Sequence, residues 1–489
     1  MLVPPPSRAT LRALCSSVTP TRVSVLVLLL AVWLALSNNP LDPTLWTTPF
    51  PLPSLERNSL LANAARFERK VAIAPESLAM DPLTGLVYCS LGDGRVVSLT
   101  ERGRYSSLVF FTGDHVPSSL SERVSKDRDE VLQWCMREAR MGRLAWDKAK
   151  ERICGRPLGL RLRRVRGATL LYVLDAYHGL FSIDMSDRSR TVRHLISAST
   201  SITLPQRLNR SPSNSNSNSS NSSSYDEALS LPPRFFNDLD VSSDGAVYFT
   251  DSSYKHTRSQ NRQELLDAAP RGRLFSFWPR EHGGDGQLRP LLCGLHFPNG
   301  VQLSADAKSL LVVESARFRV LQLQLSQLPR ASAVLTASCA ENGPLFQHLD
   351  NATAPASIPP GAVSVFIDRI PGFPDNIRAD SKRNGFYFIG CGTKSSLPFS
   401  LLWTAYQSRT LRLIVGKLVP MRFIEHLVPR YGMVVHSDGG AASMTVLQDP
   451  RGRVALVSEA QRHPISGDLW MGSHSNKFVS ILPAGDMSI

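Results

Sequence analysis

Helical periodicity and long hydrophobic runs are both scarce in this chain of 489 residues. Apolar residues recur at helical spacing over residues 121–153, and elsewhere short β-type runs are separated by Gly, Pro, Ser and Asp. This pattern excludes an all-helical fold. A content of 42% hydrophobic and 20% charged residues is sufficient for a buried core and argues against global disorder. The sequence therefore predicts an all-β protein with one helical insertion.

Two motifs that would assign a function directly are also missing. No serine lies in a G-x-S-x-G turn, so a hydrolase of this sequence would use water as its nucleophile. The net charge is +14, but no nucleic-acid-binding motif accompanies the densest basic run, GLRLRRVRG at 159–167, and we expect no nucleic-acid partner. The alternation of arginine with apolar residues there favours a strand with one solvated face; a site for anionic lipid or another polyanion is the alternative.

One long apolar segment is present, at residues 23–37, and it follows a basic segment at residues 1–22. As a helix it would be about 22 Å long, shorter than the ~30 Å hydrocarbon core of a bilayer. It is either an uncleaved signal anchor or a cleaved signal peptide. In both cases the chain from residue 38 onward enters the secretory pathway. The protein is then a single-pass membrane protein with a lumenal or extracellular domain, or it is secreted.

Glycosylation sequons and cysteines follow this segment, as expected of a translocated chain. Sequons occur at Asn218, Asn221 and Asn351, although stretches rich in Asn and Ser also produce them by chance. Cys135 and Cys154 bracket the helical insertion and are the best candidates for a disulfide bond. Four further cysteines lie in or near strand-like segments and are expected to be buried thiols: Cys89, Cys293, Cys339 and Cys391.

A strand–turn–strand unit recurs six times, beginning at residues 74, 155, 234, 296, 372 and 458. Four strands with their turns need about 40–50 residues, so each interval holds one sheet plus an insertion. Because a single sheet cannot bury both of its faces, the units predict a six-bladed β-propeller over residues 71–486, after a linker at 38–70. Loop 205–231 is expected to be disordered, and residues 398–431 are expected to cover one mouth of the propeller.

Side chains with oxygen donors occupy the same position at the start of four of these units. They are Glu76, Asn237, Asn299 and the pair Asp375 and Asn376. Equivalent positions on the innermost strands of a propeller converge near its axis. Ca²⁺ takes about six to eight oxygen ligands, and the lack of His and Cys at these positions argues against Zn²⁺. The sequence therefore predicts a calcium site there, with turn capping by Asn and Asp as the alternative.

Eight motifs in chain order resemble the strictosidine synthase-like family over roughly residues 70–485. They are PES, CGRPLGL, DAYHGLF, FFNDLDV, VYFTDSS, FPNGVQLS, PGFPDNIR and VPRY. The resemblance implies a six-bladed propeller, often behind a signal anchor, and a relationship to paraoxonases and similar Ca²⁺-dependent esterases and lactonases. It also implies the same five metal ligands and the disulfide between Cys135 and Cys154.

The sequence departs from the family where strictosidine synthase carries its catalytic glutamate. That position falls on Ser458, and Glu459 is one residue further along. Since a shift of one residue on a strand turns a side chain to the other face, strictosidine synthesis is not expected.

Two functions remain open at this point. The first is a calcium-dependent hydrolase of small esters or lactones, in which the ion polarises the carbonyl and a side chain activates water. His178 is the first candidate for that base, with Asp251 and Glu76 as alternatives. The second is a non-catalytic propeller that serves as a binding platform, with the ion in a structural role.

Overall fold

The computed structural model describes residues 41–44, 55–69, 71–165, 167–187, 189–200, 232–279, 286–327, 361–394, 407–421, 423–424, 428–440 and 443–487. Several predictions lie outside these residues: the basic and apolar segments 1–37, the loop 205–231, Cys339, and the sequons at Asn218, Asn221 and Asn351. In the ranges just given, no helix is both long and apolar enough to cross a membrane.

The described residues form six antiparallel four-stranded sheets arranged as the blades of a propeller. The six-bladed all-β fold predicted from the repeats is therefore confirmed. Blades 1 to 5 are β2–β5, β6–β9, β10–β13, β14–β17 and β18–β21, and blade 6 combines β22–β24 with β1. The strands are β1 (Ala65–Phe67), β2 (Leu78–Met80), β3 (Val87–Ser90), β4 (Arg95–Leu99), β5 (Tyr105–Phe111), β6 (Pro157–Val165), β7 (Ala168–Asp175), β8 (Gly179–Asp184), β9 (Val192–Ser197), β10 (Phe236–Val241), β11 (Val247–Asp251), β12 (Gly272–Trp278), β13 (Gln287–Leu295), β14 (Pro298–Leu303), β15 (Ser309–Glu314), β16 (Arg319–Gln324), β17 (Val363–Ile367), β18 (Gly372–Ala379), β19 (Tyr387–Lys394), β20 (Gly432–Ser437), β21 (Thr445–Asp449), β22 (Val457–Arg462), β23 (Leu469–Ser473) and β24 (Val479–Leu482).

Six apolar clusters lie between neighbouring blades and form the core. The cluster between blades 2 and 3, for example, packs Leu174 and Leu180 of one blade against Phe236, Phe249 and Phe275 of the next. Full burial of one large apolar side chain contributes about 1.5–3 kcal/mol to the stability of the fold. Each sheet thus buries both faces against its neighbours, which is the physical reason for the closed ring.

The ring is closed by a strand from the segment predicted to be a linker. β1 pairs antiparallel with β24, with Ala65 opposite Ile481 and Phe67 opposite Val479. The linker assignment for residues 38–70 is therefore wrong over these residues. A strand of three residues is too short to show an alternating pattern, so no period-2 signal marks it.

Helices occupy the insertion between blades 1 and 2, as predicted for residues 121–153. They are α1 (Ser118–Ser121), α2 (Arg128–Arg140) and α3 (Lys148–Cys154). Asp127 caps α2 by accepting a hydrogen bond from the backbone N–H of Glu130, and Asp147 caps α3 in the same way. The irregular turns are 3₁₀ helices at Leu60–Asn63, Thr112–His115, Arg258–Gln260, Ser315–Arg317, Leu325–Gln327 and Ala484–Asp486.

The predicted disulfide joins two of these helices. Cys135 of α2 is bonded to Cys154 of α3, with their Cα atoms 5.7 Å apart. Cys89 and Cys391 are free and buried, as expected. Cys293 is disulfide-bonded, so the thiol prediction is wrong for that residue. Its position in a strand indicates burial but carries no information about its redox state.

Two further helices lie over one mouth of the propeller. α4 (Asn261–Asp267) follows blade 3's second strand, and α5 (Arg409–Leu418) belongs to the segment expected to cover the mouth. The buried Arg412 of α5 donates hydrogen bonds to the backbone oxygens of Leu266 at 2.8 Å and of Thr44 at 2.7 Å. Leu266, Val415 and Leu41 pack together around this contact. The described part of residues 398–431 therefore forms a cover that is held against α4 by hydrogen bonds and apolar packing.

Within the basic run 159–167, Arg161 does not lie on the solvated face expected of it, whereas Arg164 is exposed. The run forms most of β6, the innermost strand of blade 2, where Arg161 is 5% exposed. Its Nε lies 3.2 Å from Asp240 Oδ1, and Arg163 Nη2 lies 2.7 Å from the same oxygen. These two arginines neutralise a buried carboxylate, because a charge inside a protein needs a partner.

Candidate metal centre

Four of the five predicted metal ligands line one cavity near the propeller axis. Glu76, Asn237, Asn299 and Asp375 come from blades 1, 3, 4 and 5, and the cavity measures about 550 Å³ including its open mouth. Asn376 is not among the lining residues and is 1% exposed. The structure thus brings together oxygen donors that are separated by up to 299 residues in the chain, as the repeat pattern predicted.

A shared backbone irregularity directs these side chains. The pairing of the innermost strand with the second strand shifts register between Phe236 and Leu239 in blade 3. The same shift occurs after Pro298 in blade 4 and after Pro374 in blade 5. Asn237, Asn299 and Asp375 are each within such a shift. A bulge re-aims side chains at the point where it occurs, so three blades present a donor at the same level.

Two serines fix the orientation of the amides. Asn237 Nδ2 donates to Ser252 Oγ at 2.8 Å, and Asn299 Nδ2 donates to Ser315 Oγ at 3.2 Å. Ser252 Oγ in turn donates to Pro298 O of the next blade, at 2.7 Å. With its nitrogen held in this way, each amide has its oxygen available as a ligand.

Unsatisfied oxygens support this orientation. Asn299 Oδ1 is buried and has no hydrogen-bond partner in the described part of the chain; the same holds for Asn376 Oδ1, but Asn376 does not line the cavity. A buried acceptor without a donor is costly. Oxygens of this kind are what a hard cation such as Ca²⁺ binds, and the donor set fits that ion.

The carboxylates of the cavity repel one another. Burial, and then the neighbouring Glu76, raise the pKa of Asp375 well above its usual range. Arg156 partly compensates, because its Nη2 lies 2.7 Å from Glu76 Oε2. Among the described residues, no three His, Cys, Asp or Glu side chains gather into a metal site. The predicted site therefore depends on amide oxygens in addition to its two carboxylates.

A histidine that the sequence did not single out lies in the same cavity. His474 follows β23 of blade 6, and its Nδ1 lies 4.0 Å from Asp375 Oδ2. Arg262 Nη2 lies 3.4 Å from its Nε2. Burial, with Arg262 as the next cause, lowers the pKa of His474 well below its usual range, so the ring is neutral at physiological pH. No other blade has a histidine in a matching motif, so comparison of the repeats could not find it.

The structure does not bring His178 to the cavity. Its Nε2 lies 2.7 Å from the backbone oxygen of Arg152 in α3, and its own backbone oxygen accepts a hydrogen bond from His194. The side chain thus links blade 2 to the helical insertion. This contact is structural, and the predicted role of His178 as a base has no support from the geometry.

Asp251 is also outside the cavity lining and is fully buried. Its Oδ2 lies 2.6 Å from Arg273 Nη2, and its Oδ1 accepts a hydrogen bond from the backbone N–H of Phe235. Asp175 and Glu314 end the second strands of blades 2 and 4 and likewise accept a backbone N–H from the preceding loop. Asp251 therefore makes a structural contact that recurs in blades 2 and 4, and the geometry does not support a role for it as a base.

A buried ionic cluster lies beside the cavity along the same innermost strands. Arg378 Nη1 and Nη2 lie 2.8 and 3.0 Å from the two carboxylate oxygens of Asp238, and Arg378 is also paired with Glu459. Glu459 accepts hydrogen bonds from Ser77 Oγ at 2.8 Å and from the N–H of Leu78 at 2.9 Å. The cluster around this guanidinium group thus links blades 1, 3, 5 and 6. The carboxylate of Glu459 is fully used in these structural contacts.

An apolar compartment adjoins the polar cavity. The two share five lining residues: Arg262, Leu265, Phe373, Gly392 and His474. The apolar compartment measures about 460 Å³ including its open side, and its other walls are Leu266, Thr393, Ile424, Val428 and Leu456. The site therefore combines a polar group of oxygen donors with a mainly apolar extension beneath α4 and the covering segment.

These features define a class: a six-bladed propeller with converging oxygen donors around its axis. Two family models match the chain, "Strictosidine synthase" over residues 237–327 and "Strictosidine synthase-like, N-terminal" over residues 54–99. The adipocyte plasma membrane-associated protein of Bos taurus is 29% identical over 471 residues, covering 95% of this chain and 88% of that protein. Strictosidine synthase-like 10 of Arabidopsis thaliana is 28% identical, covering 84% and 85%. The chain is thus similar to the strictosidine synthase-like family, which supports the resemblance that its motifs indicated.

Solved propellers are more distant. Regucalcin of Agrobacterium tumefaciens, a calcium-binding protein, is 12% identical with a TM-score of 0.42, covering 85% of this chain and 92% of that one. A gluconolactonase of Xanthomonas campestris is 13% identical with a TM-score of 0.42, covering 86% and 90%.

Proposed function

We propose that this protein is a calcium-dependent hydrolase of esters or lactones. The observation that carries the proposal is the convergence of Glu76, Asn237, Asn299 and Asp375 in one cavity, beside the neutral His474. The unsatisfied oxygen of Asn299 supports cation binding there. The adjoining apolar compartment would provide room for a substrate of low polarity.

The chemistry would divide among the residues of the cavity. A calcium ion bound by the four donors would supply Lewis-acid polarisation of the substrate carbonyl. Ser252 and Ser315 hold the amides in place, and Arg156 holds Glu76. His474 would act as the base toward water through a ring nitrogen, and Arg262 Nη2 lies 3.4 Å from its Nε2. Water would add to the carbonyl carbon as His474 takes one of its protons. The ester C–O bond would then break, His474 would return that proton to the leaving alkoxide, and the acid formed would lose its own proton to solvent, which leaves a carboxylate and an alcohol.

A matched pair of histidine variants tests this proposal. We expect His474→Gln to lose at least about 100-fold in kcat, the usual contribution of a general base. His178→Gln should keep the activity and lose stability instead, because His178 contacts only structural groups in the described part of the chain. The assay is hydrolysis of aryl esters and lactones, with excess Ca²⁺ and with chelator. Activity that survives both His474→Gln and chelation would contradict the proposal.

A non-catalytic binding platform is the second candidate, and one observation favours it. Arg156 already neutralises Glu76, which reduces the charge available to hold a divalent ion. Under this alternative, the parent protein hydrolyses no ester or lactone in either condition. Because the remaining charge would hold calcium only weakly, the ion would then shift thermal stability slightly and would not support turnover.

We further propose that the protein associates with a membrane of the secretory pathway through its N-terminal segment. The apolar residues 23–37 and the name of the Bos taurus relative support this. Fractionation of cells that express the full chain, beside a variant lacking residues 1–37, tests it. Recovery of the full chain in the cytosol would contradict it.

A further inference from the structure

The boundary between the two compartments contains none of the site residues predicted from the sequence. Five residues line both compartments. Four of them have bulky side chains: Arg262, Leu265, Phe373 and His474. The fifth is Gly392, near the end of β19. The two compartments therefore adjoin where this strand has no side chain.

Gly392 is unlike its neighbours on the inner part of blade 5. A Cβ built at Gly390 would lie 2.6 Å from the backbone of Ser458, and one at Gly372 would lie 2.8 Å from Thr393 O, so both glycines are required for packing. A Cβ at Gly392 would lie 3.8 Å from His474 Cε1 and 3.9 Å from Phe373 O, which are ordinary contact distances. Its backbone is not in the left-handed region. Neither strain nor close packing explains a glycine here, and its missing side chain leaves space at the boundary between the two compartments.

We propose that the apolar compartment binds the hydrocarbon chain of the substrate's acyl group, and that Gly392 determines how large a chain can enter. This inference rests on the proposed hydrolase function, since it places the carbonyl among the oxygen donors and the chain beyond this boundary. The compartment walls Leu265, Leu266, Ile424, Val428 and Leu456 are apolar, so the preferred acids carry several methylene groups. Each methylene that leaves water should increase kcat/KM about fourfold.

A series of p-nitrophenyl esters measures this selectivity. We expect the parent protein to prefer the octanoate over the butyrate and the butyrate over the acetate. Gly392→Leu should abolish the preference for the long chain, because the new side chain fills the space at the boundary, and Gly392→Ala should reduce it less. Leu456→Ala should shift the preference toward longer chains, because it enlarges the compartment. Gly485→Leu is the matched control: its Cβ meets nothing within 4 Å, and it should change nothing.

Binding of the neutral probe N-phenyl-1-naphthylamine provides a readout that does not depend on turnover. The parent protein and Gly485→Leu should bind the probe, and Gly392→Leu should bind it at least tenfold more weakly at an unchanged thermal midpoint. If the parent hydrolyses no ester but Gly392→Leu still loses the probe, the apolar site stands and the hydrolase proposal fails. If the parent hydrolyses acetate without chain preference and binds no probe, the hydrolase proposal stands and this inference fails. Equal chain preference in Gly392→Ala, Gly392→Leu and the parent also overturns it.

Discussion

The buried guanidinium group of Arg378 should be among the most important side chains for the stability of the propeller. It is 1% exposed and is paired with Asp238 and Glu459, both of which are fully buried. Replacing Arg378 with methionine keeps much of the volume but removes the cation paired with Glu459 and leaves Asp238, among the described residues, with only the 3.7 Å contact to Arg161 Nη2 as an ion pair. Breaking a buried ion pair by removing one partner costs about 3–5 kcal/mol. We expect Arg378→Met to lower the free energy of unfolding by that amount at neutral pH.

The loss should depend on pH in a defined direction. Burial already raises the pKa of Glu459, and Arg378 is the main group that opposes this rise. Without Arg378 the pKa of Glu459 should rise further. A carboxyl group whose pKa is raised in the folded state reduces stability as the pH rises through that value. The destabilisation by Arg378→Met should therefore be smallest in acid and should grow toward neutral pH.

Urea unfolding of Arg378→Met beside Arg128→Met tests this reasoning. Arg128 also pairs with two carboxylates, Asp114 and Asp129, but its side chain is 55% exposed. Its loss should cost about 1 kcal/mol or less, since solvent screens exposed pairs. The double variant Arg378→Met, Glu459→Gln should recover part of the stability because it removes one uncompensated charge. Equal costs for the two arginine substitutions would refute the importance assigned to burial.

Two further predictions concern the site and its support. With chelator present, Asp375→Asn should be more stable than the parent at neutral pH. The reason is that the pKa of Asp375 is raised in the folded protein, so its ionisation destabilises the fold as the pH rises. When Ca²⁺ is added, the variant should gain less stability than the parent. Thermal midpoints measured with chelator and with Ca²⁺ test this prediction. An equal calcium-dependent rise of the midpoint in the two proteins would contradict the assignment of Asp375 as a ligand. Replacing Cys135 and Cys154 by serine should lower the free energy of unfolding by about 3 kcal/mol; urea titration of the unreduced proteins measures this, and unchanged stability would count against it.

The repeats made the fold predictable, because each unit carries the same strand pattern and must bury the same two faces. The same periodicity located Asn237, Asn299 and Asp375, since a ligand at an equivalent position of several blades appears several times in one sequence. α4 was missed for the opposite reason: a helix of seven residues in one insertion has no copy to be compared with.

The supporting residues of the site could not be predicted from spacing. Ser252 and Ser315 do occupy matching places, each after the acidic end of a second strand, and this signal could have been found. Arg156 and His474 have no counterpart in another blade, and only the folded ring brings them to Glu76 and Asp375. The register shifts were also invisible in the sequence, although they decide which of two adjacent polar residues enters the cavity.

The pairing of β1 with β24 sets the limit for a soluble fragment of this protein. A fragment that begins at residue 71, the domain boundary predicted from the repeats, would lack Ala65–Phe67. β24 would then expose a row of unpaired N–H and C=O groups, which invites pairing between molecules and aggregation. An expressed propeller fragment should therefore begin before residue 65. A tag or a proteolytic cut between β1 and blade 1 would separate β1 from the rest of the propeller or displace it, and among the described residues β1 is the only strand that joins the start of the chain to its end.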